Sequence, residues 1–279
     1  MTRLAETTAF LDAHRDVAIV EVVRTRGSTP REQGAQMLVS RAATLGTVGG
    51  GALEFMSIAR ARAALAGDVK ADAMEVPLGP EIGQCCGGRV ELSIRLLDGP
   101  GRQALLEQAR AAELELPHVL VFGGGHVGHA LAAAFALLPV KVSVIDTRAE
   151  ALEDMPASVF TQLVAVPEEA VRDAPPGSAA VVLTHDHSLD FLIVAEALKR
   201  PELAYVGMIG SKTKRATFKS WYLSEAGGSA ADLARLVSPI GGDTVRDKRP
   251  AVIAALAAAE IVGAISARQA GSAGQRRDA

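Results

Sequence analysis

Several scarcities bound what this chain can be. It holds only two cysteines, and they are neighbours, Cys85 and Cys86. Adjacent thiols cannot staple distant segments, so a disulfide framework is excluded, while thiol or ligand chemistry stays open. Neither sign of charge dominates: a formal net charge of −3 offers no global attraction for nucleic acid or an anionic membrane. No apolar run reads as long enough to cross a bilayer, and the start, Met1-Thr2-Arg3-Leu4-Ala5-Glu6, lacks the apolar core of a signal peptide. The expected compartment is therefore the cytoplasm. No internal repeat is visible. What remains is ordinary for a soluble protein, 49% hydrophobic and 22% charged, and 279 residues suggest two domains, each able to bury its own core.

The most informative stretch runs from Val119 to Arg148. Val119-Leu120-Val121-Phe122 has no polar alternation and reads as a strand covered on both faces. Gly123, Gly125 and Gly128 fit G-x-G-x-x-G. A helix-forming Ala/Leu run to Leu138 follows, Pro139 stops it, and a second apolar strand, Val140–Ile145, closes on Asp146. That acid stands roughly 20 residues past the first glycine, where a ribose hydroxyl would be met. Glycines, strand, helix and acidic terminus together make a phosphate-binding Rossmann unit, with bare amides and a helix dipole facing an anion. Arg148 is left between a contact to a further phosphate and a solvated cation.

Along the chain, residues 2–14 read as a short amphipathic helix, 17–23 and 35–40 as strands, 51–66 as a helix opened by glycines, and 90–97 as a half-buried strand. The fold class expected is α/β: a small N-terminal α+β domain (1–98), a helical connector (99–117), a Rossmann-like domain with a parallel sheet (118–265) and a disordered tail (266–279). Later strands are expected at 159–166, 180–184 and 204–208.

Four more loops hold polar or reactive groups. Gly27-Ser28-Thr29-Pro30-Arg31 is either a β-turn with a surface arginine or a loop that grips an anion. Gly46-Thr47-Val48-Gly49-Gly50-Gly51 opens onto a helix and is a second potential anion cradle. In Gln84-Cys85-Cys86-Gly87-Gly88 a thiolate among glycines faces a ligand or metal, unless the cysteine is simply a small buried hydrophobe. Thr184-His185-Asp186-His187, with Asp190, follows a strand end; it reads as polar caps on a strand–helix turn, with Asp186 or Ser188 as the N-cap, or as a substrate, proton-handling or metal site. Finally, Tyr205 through Gly210-Ser211-Lys212-Thr213-Lys214-Arg215 puts three cations at a helix start. These oppose the helix dipole and hint at a bound anion. Lys199 and Arg200 read as solvated surface.

Taken in order, Gly27–Arg31, Gly46–Glu54, Cys86-Gly87-Gly88, Phe122–Gly128, Thr184–His187, Tyr205–Ser211 and Pro239-Ile240-Gly241 resemble the XdhC/CoxI family of xanthine dehydrogenase accessory proteins over roughly residues 17–262. The resemblance implies a chaperone rather than an enzyme. Its cargo would be the molybdenum cofactor, Mo-molybdopterin, held while a cysteine desulfurase replaces an oxo by a sulfido ligand and then passed to the molybdenum-binding subunit of apo-xanthine dehydrogenase. A homodimer is expected, with no nucleic-acid or membrane partner. The cofactor-binding residues implied are Ser28, Thr29, Arg31, Gly49, Gly50, Cys86, Gly87, Gly88, Gly123, Gly125, His126, Gly128, Asp146, His185, Gly210, Ser211 and Lys212. Cys86 would stand near molybdenum, and the phosphate at the Gly123–Gly128 or Gly207–Lys212 loop, across an interdomain cleft. Two departures from the family pattern are Cys85, an extra thiol beside Cys86, and Lys248-Arg249-Pro250-Ala251 where the family has a Thr-Pro-Glu-type helix start. Two other readings remain: an NAD(P)-dependent oxidoreductase using the Rossmann unit, and a docking module with a vestigial pocket.

Overall fold

The computed structural model describes residues 3–83, 87–242 and 245–277, which divide into two compact units, Met1–Glu115 and Leu116–Ala279. The first unit runs α1 (Leu4–Ala13), β1 (Val17–Arg26), β2 (Gln36–Ser40), β3 (Thr44–Gly46), α2 (Gly51–Ala66), β4 (Ala73–Pro77), β5 (Arg89–Leu96) and α3 (Gly99–Leu114). Its strands form an antiparallel sheet in the order β3-β2-β1-β5-β4. One face, carrying Val20, Val22, Val39, Val90 and Leu92, packs against Leu53 and Ala61 of α2. The other face, through Val17, Ile19 and Leu38, meets Leu11 of α1 and Leu105 and Leu106 of α3. β1 carries an irregularity between Val22 and Arg24. Val22 pairs with the buried Leu92, but Arg24 pairs with Glu91 and Arg26 with Arg89, on the opposite face of β5. One extra residue therefore turns both arginines away from the apolar core, as a β-bulge does.

Residues 99–117 were expected to be a helical connector. Residues 99–114 are helical, forming α3, but the helix is pinned into the first unit: the Asp98 side chain accepts from the Gly101 amide at 2.8 Å, and Arg102 donates to the carbonyls of Leu11 (3.2 Å) and His14 (3.1 Å). The two short edge strands, β3 and β4, have no strong apolar pattern and are legible only from their partners.

The second unit contains β6 (His118–Phe122), α4 (His126–Phe135), β7 (Lys141–Asp146), β8 (Phe160–Leu163), α5 (Glu168–Arg172), β9 (Ala179–Val182), α6 (His187–Leu198), β10 (Tyr205–Met208), α7 (Lys212–Ser224), α8 (Ala230–Ala234), β11 (Leu236–Val237) and α9 (Pro250–Arg277). All six strands are parallel, in the order β11-β10-β9-β6-β7-β8. From the β8 edge they succeed one another as 3-2-1-4-5-6, the dinucleotide-fold order, with its switch point between β6 and β9. α4 and α9 cover one face through Leu131, Phe135, Ala257 and Ile261; α5, α6 and α7 cover the other through Val171, Ile193 and Phe218.

The last helix corrects two expectations. Residues 266–277 continue α9 where a disordered tail was anticipated, because alanines recur through the segment and sustain helix. The span Pro250–Gly271 is also long and apolar enough to cross a membrane by length and composition. Its charged residues are Glu260 and Arg268. Ala254, Ala257, Ala258, Ile261 and Ile265 lie buried in the second unit's core, one stripe of the helix, and the rest of the apolar span is only partly covered or exposed within the described residues. Arg200, read as solvated, instead donates to the carbonyls of Val171 (2.6 Å) and Ala174 (2.8 Å) and ties α5 to the end of α6.

The glycine loop after β6 shows how tightly the switch point is built. A Cβ on Gly128 would stand 2.1 Å from the Gly123 carbonyl oxygen, whereas one on Gly125 would meet nothing within 4 Å. Gly128→Ala should therefore cost about 1–3 kcal/mol through overpacking, and Gly125→Ala about 1 kcal/mol or less through a poorer N-cap. Urea unfolding of the two variants checks this, and equal losses would contradict it.

Candidate functional site

Within the first unit, three of the loops singled out from sequence come together. Gly88 lies so close to the loop after β1 that a Cβ there would meet the Ser28 carbonyl oxygen at 2.1 Å. A Cβ on Gly49 would meet Pro30 Cγ at 2.5 Å. Ser28 and Arg31 are exposed, and Thr29 Oγ1 donates to the Arg31 carbonyl at 3.1 Å, closing the turn locally. Gly49 and Gly50 serve the start of α2: the Gly50 amide donates to Glu54 at 3.2 Å, the Gly49 amide to Thr47 Oγ1 at 3.1 Å, and the Thr47 hydroxyl is bonded to Glu54. The cradle expected at 46–54 is thus partly satisfied by its own helix, with Glu54 filling the acceptor role an anion would take. Gly87 is exposed and Gly88 buried. Cys85 and Cys86 lie outside the described residues. A groove of about 420 Å³ runs beside Arg26, Gly27, Gly87, Gly88 and Arg89. Sequence reasoning passed over the two arginines that flank it.

In the second unit, the carboxyl ends of β6, β7, β9 and β10 carry the remaining motif residues. Gly123 packs against the loop after β9, where a Cβ would meet the Leu183 carbonyl oxygen at 2.4 Å. Gly125 is the N-cap of α4, and His126 stands exposed on its first turn. Asp146 is buried and fully engaged. Its Oδ2 accepts from the Gly124 amide (2.8 Å) and Arg148 Nη2 (3.0 Å); its Oδ1 accepts from Arg148 Nε (3.1 Å) and the Arg148 amide (3.0 Å). Four donors fill a carboxylate's acceptor capacity. A ribose hydroxyl would have to displace the guanidinium, so Arg148 is held by Asp146 through Nε and Nη2 rather than standing free in solvent. Burial pushes the Asp146 carboxyl up, but the Arg148 side chain and the Gly124 and Arg148 amides outweigh it and hold the group below the usual carboxylate range.

The turn after β9 proves to be capped rather than metal-binding in form. Asp186 is the N-cap of α6, accepting from the Ser188 amide at 2.7 Å, and His185 and His187 are exposed. Among the described residues no three His, Cys, Asp or Glu side chains group as metal ligands. Asp190 is fully buried and accepts from the Thr184 amide (2.9 Å) and hydroxyl (2.7 Å); its other oxygen is paired with Lys214. Of the cations at the start of α7, one is thereby neutralised within the protein. Lys214 is neutralised by Asp190, Arg215 donates to the Ser238 carbonyl at 3.0 Å, and Ser211 caps the helix through the Lys214 amide at 3.2 Å. Lys212 alone of the three is exposed with no side-chain bond among the described residues, beside Gly210. The Asp190–Lys214 pair went unread because no local spacing links a residue on α6 to one on α7. Ser238, just past β11, is buried, and its hydroxyl has no hydrogen-bond partner among the described residues.

Two family profiles match this chain: the XdhC Rossmann domain over residues 119–261, just over half its length, and the XdhC and CoxI family over residues 10–75. The chain belongs to the XdhC and CoxI family. The chain is 28% identical over 259 residues to the Escherichia coli (strain K12) protein named uncharacterized protein YqeB, covering 88% of this chain and 43% of that one. It thus spans less than half the length of that relative. A crystal structure described as a xanthine dehydrogenase from Bacillus halodurans superposes with a TM-score of 0.78 at 17% identity, covering 96% of this chain and 97% of the other. At that identity the likeness establishes a shared fold.

Two outcomes follow from the buried carboxylates of this XdhC-family Rossmann unit. Because the Asp146 pKa is depressed in the folded state, its contribution to stability is present above the unfolded value and lost as pH falls through the folded one. Arg148→Met keeps the burial and removes the guanidinium, so the acid-unfolding limb followed by circular dichroism should move to higher pH; an unmoved limb refutes the coupling. Lys214→Met should cost about 3–5 kcal/mol by leaving a buried charge unpaired. Asp190→Asn/Lys214→Met, which keeps an acceptor for Thr184, should recover part of that loss in urea titrations.

Proposed function

We propose that this XdhC-family protein carries the molybdenum cofactor: it holds Mo-molybdopterin while a cysteine desulfurase exchanges an oxo for a sulfido ligand, and it delivers the product to the molybdenum-binding subunit of apo-xanthine dehydrogenase. The observation that carries the reading is the close approach of the Gly27–Arg31 loop to both Gly88 and Gly49 in the first unit, since these are motifs of the family, and Gly27, Gly87 and Gly88 line an open groove. The residues there suit such a cargo. Ser28, Thr29 and Arg31 offer hydroxyl and guanidinium donors to pterin and phosphate oxygens, and close-packed glycines let a planar ring approach backbone. Cys86 precedes Gly87 in the chain, and a thiolate is a fitting soft partner for molybdenum or its sulfur ligand.

The dinucleotide-dependent alternative draws on the strand order of the second unit. Against it, the acid that would take a ribose hydroxyl already has four donors. Co-expression with cofactor biosynthesis, followed by native mass spectrometry and metal analysis, tests the proposal. Molybdenum and a pterin should co-purify with the wild-type chain and be lost from Cys86→Ser with circular dichroism unchanged. Unchanged molybdenum in Cys86→Ser removes the thiol from the account. A chain that takes no molybdenum and is thermally stabilised by NAD(P) overturns the carrier reading.

A further inference from the structure

The antiparallel register of the first unit places Arg26 directly opposite Arg89. Like charges directly across a strand pair repel and destabilise it. Elsewhere on this face charges alternate to relieve one another: Arg24 lies 3.8 Å from Glu91, Arg89 lies 3.2 Å from Glu75, and Arg95 lies 3.3 Å from Glu21. Arg26 is the exception, exposed and without a hydrogen bond or ion pair among the described residues. Its position is not an accident of alternation, because the irregularity between Val22 and Arg24 is what turns it onto this face. Two grooves of about 410 and 420 Å³ meet at this pair, and both are lined by Arg26 and Arg89. The first also holds Glu75 and Glu91, which neutralise its cations. The second is walled by Gly27, Gly79, Gly87 and Gly88 and contains no acidic side chain among the described residues.

We propose that the glycine-walled groove at the Arg26–Arg89 pair is an anion site for a phosphate ester, with both guanidinium groups on the phosphate. Arg26 brings a charge that no carboxylate among the described residues answers, and Arg89, shared with Glu75, brings a second fork; a phosphate dianion offers oxygens to both, where a single carboxylate would engage one. A groove of about 420 Å³ also has room for atoms attached to the phosphate. The second unit makes a weaker claim on the same group, since Lys214 and Arg215 are held by Asp190 and Ser238. The inference deepens the carrier reading by locating the phosphate, and it stands whatever the remainder of the ligand is.

Isothermal titration of the full chain with inorganic pyrophosphate at low ionic strength tests it. Wild type should bind, and Arg26→Gln should bind at least about tenfold more weakly, the loss of one charge-assisted contact. In phosphate-free buffer Arg26→Gln should melt no lower than wild type, because the like-charge contact is relieved; pyrophosphate should raise the wild-type midpoint more than the variant's. Lys212→Ala tests the rival location in the second unit. Absence of binding by wild type, equal affinity in Arg26→Gln, or a loss in Lys212→Ala as large as in Arg26→Gln overturns the proposal. Molybdenum plays no part in this readout, so a chain that binds pyrophosphate through Arg26 yet carries no molybdenum refutes the carrier reading alone.

Discussion

A carboxylate buried at the mouth of a parallel sheet must be paired, and the loops of the second unit are arranged around that requirement. Asp146, at the end of β7, reaches the Gly124 amide in the loop after β6. Asp190, on α6, fastens the turn after β9 to Lys214 on the helix after β10. The carboxyl ends of four strands are thereby joined in two pairs, β6 with β7 and β9 with β10. The break between the pairs falls at the switch point. There the joint is backbone against backbone, Gly123 on Leu183, a contact that no residue with a Cβ could make. Charge pairing holds each half of the sheet, and glycine permits the halves to close.

The first unit solves its electrostatics differently. Its exposed face is a lattice of cross-strand ion pairs, each weak in solvent, set by register rather than by burial. Where the lattice fails, at Arg26 and Arg89, the glycine-bearing loops begin. In the second unit Lys214 and Arg148 are engaged by carboxylates; in the first, Arg26 is an uncompensated cation beside a groove.

Much of this was legible in the sequence. Continuous apolar runs marked β6, β7, β9 and β10, because strands buried on both faces have no reason to alternate. Helix α2 was read with the bounds it has, since glycines stand at both of its ends. What escaped detection depended on partners distant in the chain. β3, β4 and β11 are short and owe their strand geometry to the neighbour that pairs with them. Lys214 looked like a cation in need of a ligand, because its counter-ion sits 24 residues away on another helix. Arg148 looked ambiguous for the opposite reason: its partner is two residues away, yet only the turn after β7 brings the carboxylate and guanidinium face to face. The bulge that exposes Arg26 leaves no compositional trace, since Val22 and Val23 are equally apt for a strand.

The distribution of charge bears on what a carrier must do, which is to hold a ligand and also release it. An anion bound to a buried lysine inside a closed loop would leave slowly, because departure would strand the cation in a poorly solvated place. An anion on two exposed arginines leaves behind groups that water can solvate, and its attraction is screened within about 8–10 Å at ordinary salt. A second protein bearing its own cations can therefore compete for the phosphate without unfolding any part of the donor. Lys214 and Arg148 are spent on internal carboxylates, so these charge pairs of the Rossmann unit close within its own fold. On the reading proposed above, the exchangeable contact falls to Arg26 and Arg89 on the antiparallel sheet.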